Sequence, residues 1–206
     1  MALMLSILAL TLSAATAWLT IFHRGTVKMA RPHFFALIPE DGPFGSWLKL
    51  FMRTLLFSTG KRGRVVEIVQ LTLRHEGKTF PFNYWMYGDS DKLSIGSGIF
   101  VGQDGIALNH HFVPTSPLSV NDLPAGSYQI EVRALLLGSK SVTIIQRLQF
   151  ALGNEEANAL RTSKDKAVFF VWDQETGTYK SRIDNRRSRE RSHSVSGSGG
   201  GLFSFE

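Results

Sequence analysis

The sequence of 206 residues contains no cysteine. This absence excludes a disulfide framework, a thiolate-ligated metal site and an enzyme that uses a cysteine nucleophile. Long uncharged segments are also scarce, because only residues 3–22 reach the length that a bilayer-spanning helix requires. A protein with several membrane spans is therefore excluded. The rest of the chain has the composition of one soluble domain.

The one uncharged segment, from Leu3 to Phe22, predicts a transmembrane anchor and thus a lipid bilayer as a partner. A cleaved signal peptide is the alternative, because Ala15, Thr16 and Ala17 resemble a signal peptidase site. The segment departs from that pattern, since no Lys or Arg precedes it and apolar residues continue beyond the site of cleavage.

Positive residues follow this segment and predict the side of the membrane on which the domain lies. Arg24, Lys28 and Arg31 come shortly after the uncharged residues, and such flanks favour the cytoplasm. The predicted protein is therefore a single-pass membrane protein whose domain is cytoplasmic. If the segment is instead a cleaved signal, the domain is extracytoplasmic.

Composition predicts four regions along the chain. They are an anchor over residues 1–23, an irregular connector over 24–45, a β domain over 46–183 and a disordered basic tail over 184–206. The connector is predicted from Pro32, Pro39 and Pro43, which interrupt helices and strands. The tail is predicted from its Arg, Ser and Gly content.

The domain is predicted to be mainly β, an antiparallel sandwich followed by a short helix and a hairpin. Val69, Leu71 and Leu73 alternate with Gln70, Thr72 and Arg74, as in a half-buried strand. Residues 47–57, from Trp47 to Phe57, fit a helix or a strand, and their aromatic residues favour the strand. Further strands are predicted over residues 79–87, 99–101, 106–113, 128–134, 142–152, 167–172 and 178–183, a hairpin turn over 75–78, and a helix capped by Asn154.

The segment Leu123-Pro124-Ala125-Gly126-Ser127-Tyr128 resembles the corner that precedes strand F in immunoglobulin-like and fibronectin type III-like sandwiches. The resemblance implies that the tyrosine hydroxyl bonds to nearby backbone, and that Trp85 is the core tryptophan. It is a resemblance of fold, and this fold serves too many functions for one to be inferred from it.

Two histidines and two carboxylates form the candidate polar site of the sequence: His110, His111, Asp89 and Asp91. Adjacent residues of a strand point to opposite faces, so one metal ion does not reach both histidines easily. His110 is therefore predicted to be a core residue. An enzyme or metal-binding protein that uses this region remains the alternative function, and the sequence predicts no cofactor.

The basic tail has four arginines, Arg186, Arg187, Arg189 and Arg191, which predict contact with anionic lipid headgroups. Nucleic acid is disfavoured as the partner, because no aromatic residues for base stacking accompany them. Since strands and turns account for most polar residues, the leading hypothesis is a membrane-anchored interaction or scaffolding module with a protein partner.

Overall fold

The computed structural model describes residues 2–18, 25–42, 45–89, 92–96, 98–115, 118 and 123–185. They form an N-terminal helix, two antiparallel β-sheets that pack together, and a short helix before the last two strands. The mainly β architecture predicted from the sequence is confirmed. In chain order the elements are α1 (Ala2–Ala17), β1 (Val27–Met29), β2 (Phe34–Gly42), β3 (Gly45–Ser58), β4 (Arg64–His75), β5 (Lys78–Phe82), β6 (Tyr84–Tyr87), β7 (Ser94–Ile95), β8 (Ile99–Val101), β9 (Ile106–Val113), β10 (Gly126–Leu136), β11 (Thr143–Leu152), α2 (Asn154–Thr162), β12 (Lys166–Asp173) and β13 (Thr178–Asn185).

The two sheets have different strand orders. Sheet A runs β13-β12-β2-β3-β9-β6-β7, and β1 pairs with the last residues of β3. Sheet B runs β11-β10-β4-β5, and β8 pairs with the first residues of β4. Both sheets contribute apolar side chains to one core, which lies between them.

Alternation of apolar and polar residues explains the central strands of sheet B. Ile130 pairs with Leu73 and Val132 pairs with Leu71, and all four side chains are buried in the core. The residues between them face outward, because successive side chains of a strand point to opposite faces. The predicted strand over 128–134 is confirmed and lies at the centre of sheet B.

The ambiguous segment 47–57 is a strand, as the sequence analysis favoured. It belongs to β3, whose Leu48, Leu50 and Met52 are fully buried. β3 pairs with β2 on one side and with β9 on the other, so its backbone groups are satisfied within the sheet.

The predicted irregular connector over residues 24–45 is wrong for 27–29 and 34–42, which form β1 and β2. Proline was the basis of that prediction, but Pro39 is accommodated within β2. β2 pairs with β12 only from Phe34 to Leu37, so Pro39 lies where β2 has a single neighbour, β3. A missing N–H group is tolerated at such a position.

The predicted single strand over 79–87 is wrong, because the chain changes sheets at Asn83. β5 ends at Phe82 in sheet B, and β6 begins at Tyr84 in sheet A. Phe82 and Trp85 are both buried, whereas Tyr84 is exposed. The change of sheet reverses which alternate residues face the core, and strict alternation along the segment misses this reversal.

The predicted hairpin turn and the second helix are confirmed, apart from the helix cap. Glu76 and Gly77 have φ angles of 45° and 78° in the turn between β4 and β5, as a two-residue hairpin turn requires. α2 has Glu155 in its first turn, but its N-cap is Gly153 and Asn154 is already helical.

α1 contains sixteen residues, and none of them is buried. In the described part of the chain, no helix is both long enough and apolar enough to cross a membrane. At about 1.5 Å per residue α1 is about 24 Å long, against about 30 Å for the hydrocarbon core of a bilayer. The predicted span from Leu3 to Phe22 is therefore not supported by the structure, and residues 19–24 lie outside the described ranges.

The corner before β10 has the hydrogen bond that the resemblance implied. The Tyr128 hydroxyl donates to the Pro124 carbonyl oxygen at 2.6 Å. The Arg161 guanidinium of α2 donates to the Leu123 carbonyl oxygen at 2.9 Å and holds the same corner from the other side. Burial of Trp85 in the core is also as expected.

We predict that Tyr128→Phe lowers the free energy of unfolding by about 1–2 kcal/mol, because it removes the hydrogen bond to Pro124 and keeps the ring. Urea denaturation followed by far-ultraviolet circular dichroism measures the change. Tyr87→Phe is the matched control, since the Tyr87 hydroxyl has no hydrogen-bond partner among the described residues. We expect it to change stability by less than about 0.5 kcal/mol. Equal losses in the two variants would show that the corner bond contributes nothing.

Candidate binding surface

His110 is a core residue, as predicted, and it lies on the inner face of β9. Its side chain is fully buried, and its Nδ1 accepts a hydrogen bond from Trp85 Nε1 at 3.1 Å. Nε2 has no partner among the described residues. Burial first, and then the nearby His111, lower the pKa of His110 from 6.5 to about 4. The ring is therefore neutral near pH 7, and Nε2 carries its proton.

His111 lies on the opposite, outer face of sheet A. Its Nε2 is 3.1 Å from the Gly88 carbonyl oxygen, and its ring contacts Phe51 with centroids 5.0 Å apart. Burial is the main cause that lowers the pKa of His111. Asp89 follows Gly88 and accepts a hydrogen bond from Asn109 at 2.8 Å.

The candidate polar site of the sequence is therefore divided. His111 and Asp89 lie on one side of sheet A, His110 lies on the other, and Asp91 is outside the described residues. Within the described ranges, no group of three or more His, Asp or Glu side chains is placed to hold a metal ion. The four arginines 186, 187, 189 and 191 also lie outside the described residues.

A charged cluster that the sequence analysis did not single out lies on the outer face of sheet B. Its centre is Glu131 of β10, which is only 4% exposed. Arg133 Nε donates to Glu131 Oε1 at 2.6 Å, and Arg147 Nε donates to Oε2 at 3.1 Å. Arg74 Nη2 lies 3.8 Å from Oε1. We call these four residues the arginine face.

Strand pairing brings the arginine face together. Arg147 of β11 is the direct partner of Glu131, and Arg74 of β4 is the partner of Gln129, one outward position along β10. Arg133 is the next outward residue of β10 in the other direction. Three neighbouring strands therefore direct their cations at one carboxylate.

The charges of this cluster do not balance. Burial alone would raise the pKa of Glu131, but the hydrogen bonds from Arg133 and Arg147 outweigh burial and lower it. The carboxylate is therefore ionised at neutral pH. Three arginines then face one carboxylate, and the side chains of Arg147 and Arg74 are 57% and 46% exposed. Two positive charges remain in excess at a solvent-accessible surface.

An open polar depression of about 420 Å³ continues the arginine face toward the turn between β4 and β5. Arg74 and Lys78 supply cations to it, and Gln129 and Gln149 supply amide groups. Its remaining lining residues are His75, Glu76, Gly77, Thr79, Ser127 and Tyr128. Arg74 and Lys78 outnumber Glu76 in the lining, so the depression keeps a positive charge next to the arginine cluster.

The inner wall of the depression is held by stacked rings. The His75 ring stacks on Tyr128 with centroids 4.4 Å apart, and His75 Nδ1 lies 2.9 Å from the Ser127 carbonyl oxygen. Gly126 leaves the space that the ring needs, because a Cβ atom there would lie 2.4 Å from His75 Cε1. The wall is thus continuous with the corner that Tyr128 fixes.

The sequence contained a signal for this surface. Alternation placed Arg74 on the outward face of one strand, and Glu131 with Arg133 on the outward face of another. Alternation alone does not show that β4, β10 and β11 are neighbours, in a register that aligns these residues.

No protein-family model, no curated protein and no solved structure match this chain. The functional interpretation therefore depends on the residues and geometry described above.

We predict a decrease in stability between pH 6.5 and pH 4 that depends on His110. Because the folded-state pKa is about 4 and the ordinary value is 6.5, the unfolded chain takes up the proton first. The stabilising effect of a neutral His110 is present above pH 6.5 and decreases by up to about 3 kcal/mol as the pH falls to 4.

Urea denaturation of the wild type and of His110→Gln across this pH range measures the effect. His110→Gln removes the titrating group, so its stability should decrease less with falling pH. His33→Gln, at an exposed position, is the control and should follow the wild type. Parallel pH curves for wild type and His110→Gln would contradict the prediction.

Proposed function

We propose that this chain is an interaction module that is held at a membrane by its apolar N-terminal segment and binds an acidic protein segment through the arginine face. The observation that carries the proposal is the excess of two positive charges around the nearly buried Glu131. Guanidinium groups form paired hydrogen bonds with carboxylates, which gives a carboxylate-rich segment an advantage over an uncharged one.

The geometry of the surface supports an extended peptide as the partner. The arginines are arranged across three neighbouring strands, and the open depression extends the polar surface to Lys78. Side-chain amides of Gln129 and Gln149 can bond to a peptide backbone beside the charged contacts.

We infer that the sandwich is immunoglobulin-like. In that fold strands A, B, E and D form one sheet, and G, F and C form the other. Lettered in chain order, β2, β3, β4, β6, β9, β10 and β11 become strands A to G. The order β2-β3-β9-β6 in sheet A is then A-B-E-D, and the order β11-β10-β4 in sheet B is G-F-C. Tyr128 then lies at the start of strand F, where its bond to Pro124 supports the same inference. β12 and β13 are additional strands outside A.

The membrane part of the proposal is supported by α1, which lacks charged residues and buries none of its side chains in the domain. A helix that is apolar on all sides requires an apolar environment. We propose attachment to the leaflet that faces the cytoplasm, because that leaflet is anionic and Arg24 and Lys28 follow the helix. Arg186, Arg187, Arg189 and Arg191 would each add about 1 kcal/mol at such a surface.

We predict that Leu8→Lys together with Leu12→Lys moves the protein from the membrane fraction to the soluble fraction. A charged side chain costs about 2.5–3.5 kcal/mol in the hydrocarbon region, so two should abolish attachment. Flotation of the full chain with vesicles that contain phosphatidylserine measures the fraction of the protein that is bound to the membrane. Gln174→Lys, in an exposed turn, is the control and should float like the wild type. A wild-type chain that does not float would contradict membrane attachment.

We predict that the full chain binds a fluorescein-labelled peptide of eight glutamates more tightly than a peptide of eight glutamines. Arg74→Ala and Arg147→Ala should each weaken binding on the order of tenfold, equivalent to about 1.4 kcal/mol. Glu131→Gln should strengthen it, because it removes the only carboxylate of the arginine face. Fluorescence anisotropy at two salt concentrations measures both effects.

Two variants make this binding test specific. Lys140→Ala removes an exposed cation of the β10–β11 turn and should leave affinity within about twofold of the wild type. A chain with Ser in place of Arg186, Arg187, Arg189 and Arg191 tests the tail. If that chain loses binding while Arg74→Ala and Arg147→Ala retain it, the arginine face is not the binding surface.

A further inference from the structure

The outer face of sheet A has an apolar middle that charged side chains border, among them Lys49, Arg53 and Arg182. Its middle is a row of directly paired residues, one from each of six neighbouring strands: Phe169, Ala36, Phe51, His111, Met86 and Ile95. We call it the sheet A row. Five of its six members are apolar. Ile95 at one end is 62% exposed, Ala36 and His111 are buried, and Arg182 of β13 continues the row beyond Phe169.

Further apolar side chains border the sheet A row on the same face. Val171 and Phe34 are paired beside it on one side, and Tyr84 of β6 borders it on the other. Val171, Tyr84 and Leu55 are all exposed. Neither described helix covers this surface. α1 buries none of its residues, and α2 bonds through Glu156 to Ser181 of β13, whose strand partner Phe170 faces the core.

Three polar groups on this face lack the partner that their chemistry calls for. Nδ1 of His111 and Nε1 of Trp47 are buried and have no hydrogen-bond partner in the described part of the chain. Arg53, next to Phe51 on the outer face of β3, is exposed and has no ion pair with a described carboxylate. The two buried groups cost free energy, whereas the exposed Arg53 is hydrated and offers a cation to a covering segment that carries a negative charge.

We propose that residues 202–206 of the same chain, Leu-Phe-Ser-Phe-Glu, bind to the outer face of sheet A across the sheet A row. Leu202, Phe203 and Phe205 are the large apolar residues of the segment, and Glu206 carries its negative charge. The two aromatic rings match Phe51 and its apolar neighbours, and Glu206 matches Arg53.

The position of β13 makes this intramolecular contact accessible. β13 is the edge strand of sheet A and ends at Asn185, and Phe51 lies three strands away, at about 15 Å. The sixteen residues 186–201 separate Asn185 from Leu202. A Gly- and Ser-rich chain of that length has a root-mean-square end-to-end distance of about 20–24 Å. The local concentration of the segment is then on the order of millimolar, so a weak contact suffices.

The absence of cysteine allows a direct test by disulfide formation in the full chain. Leu55→Cys with Ser204→Cys places one thiol on the proposed face and one in the segment. Ile68→Cys with Ser204→Cys is the control, because Ile68 is equally exposed but lies on the outer face of sheet B. We expect the first pair to oxidise at least tenfold faster under a glutathione buffer, and to give a monomer on non-reducing electrophoresis.

A third variant tests whether the segment's apolar side chains are responsible. Replacing Leu202, Phe203 and Phe205 by Ser in the Leu55→Cys, Ser204→Cys chain should reduce the rate to that of the control pair. Equal rates for the two pairs would overturn the proposal, since the segment would then have no preference for sheet A. Disulfide-linked dimers in place of monomers would also overturn it, because the occupant would be the segment of a second copy.

Discussion

Three phenylalanine rings hold the two sheets together, and much of the described structure depends on their contact. Phe35 of sheet A and Phe150 of sheet B meet with ring centroids 5.1 Å apart, and Phe170 contacts both, at 4.8 Å and 4.6 Å. Each such pair adds about 0.5–1.5 kcal/mol to the effect of burial alone. Because the rings come from β2, β11 and β12, this contact fixes three distant parts of the chain relative to one another.

The aromatic contacts extend from these rings to both ends of the sandwich. On one side Phe150 stacks on Tyr128, which stacks on His75 at the wall of the polar depression. On the other side Phe35 contacts Tyr179, whose hydroxyl donates to the Pro32 carbonyl oxygen at 2.7 Å. The wall of the polar depression is thus tied to the core by direct contacts. The strands added at the edge of sheet A are tied to the same core.

The sequence predicted the features that depend on neighbouring residues. Alternation identified the central strands of sheet B, and the pair Glu76 and Gly77 identified a hairpin turn. The predictions from the sequence were wrong where the pairing of distant strands decides the structure. Pro39 is tolerated in β2 because of where β12 stops, and the change of sheet at Asn83 leaves no trace in the alternation. The arginine face was missed for the same reason, since its residues come from three strands whose adjacency is a property of the fold.

The two outer faces of the sandwich differ in chemistry, and this difference separates their proposed partners. On sheet B a nearly buried carboxylate holds three arginines in place, so the surface is ordered and positive before any ligand arrives. On sheet A the exposed residues include Leu55, Val171 and Ile95, and exposed apolar side chains of this kind favour a segment that covers them. The arginine face has no aromatic residue among its four members, so an aromatic segment gains little there. One chain can therefore bind an external partner on one face and its own segment on the other without competition between them.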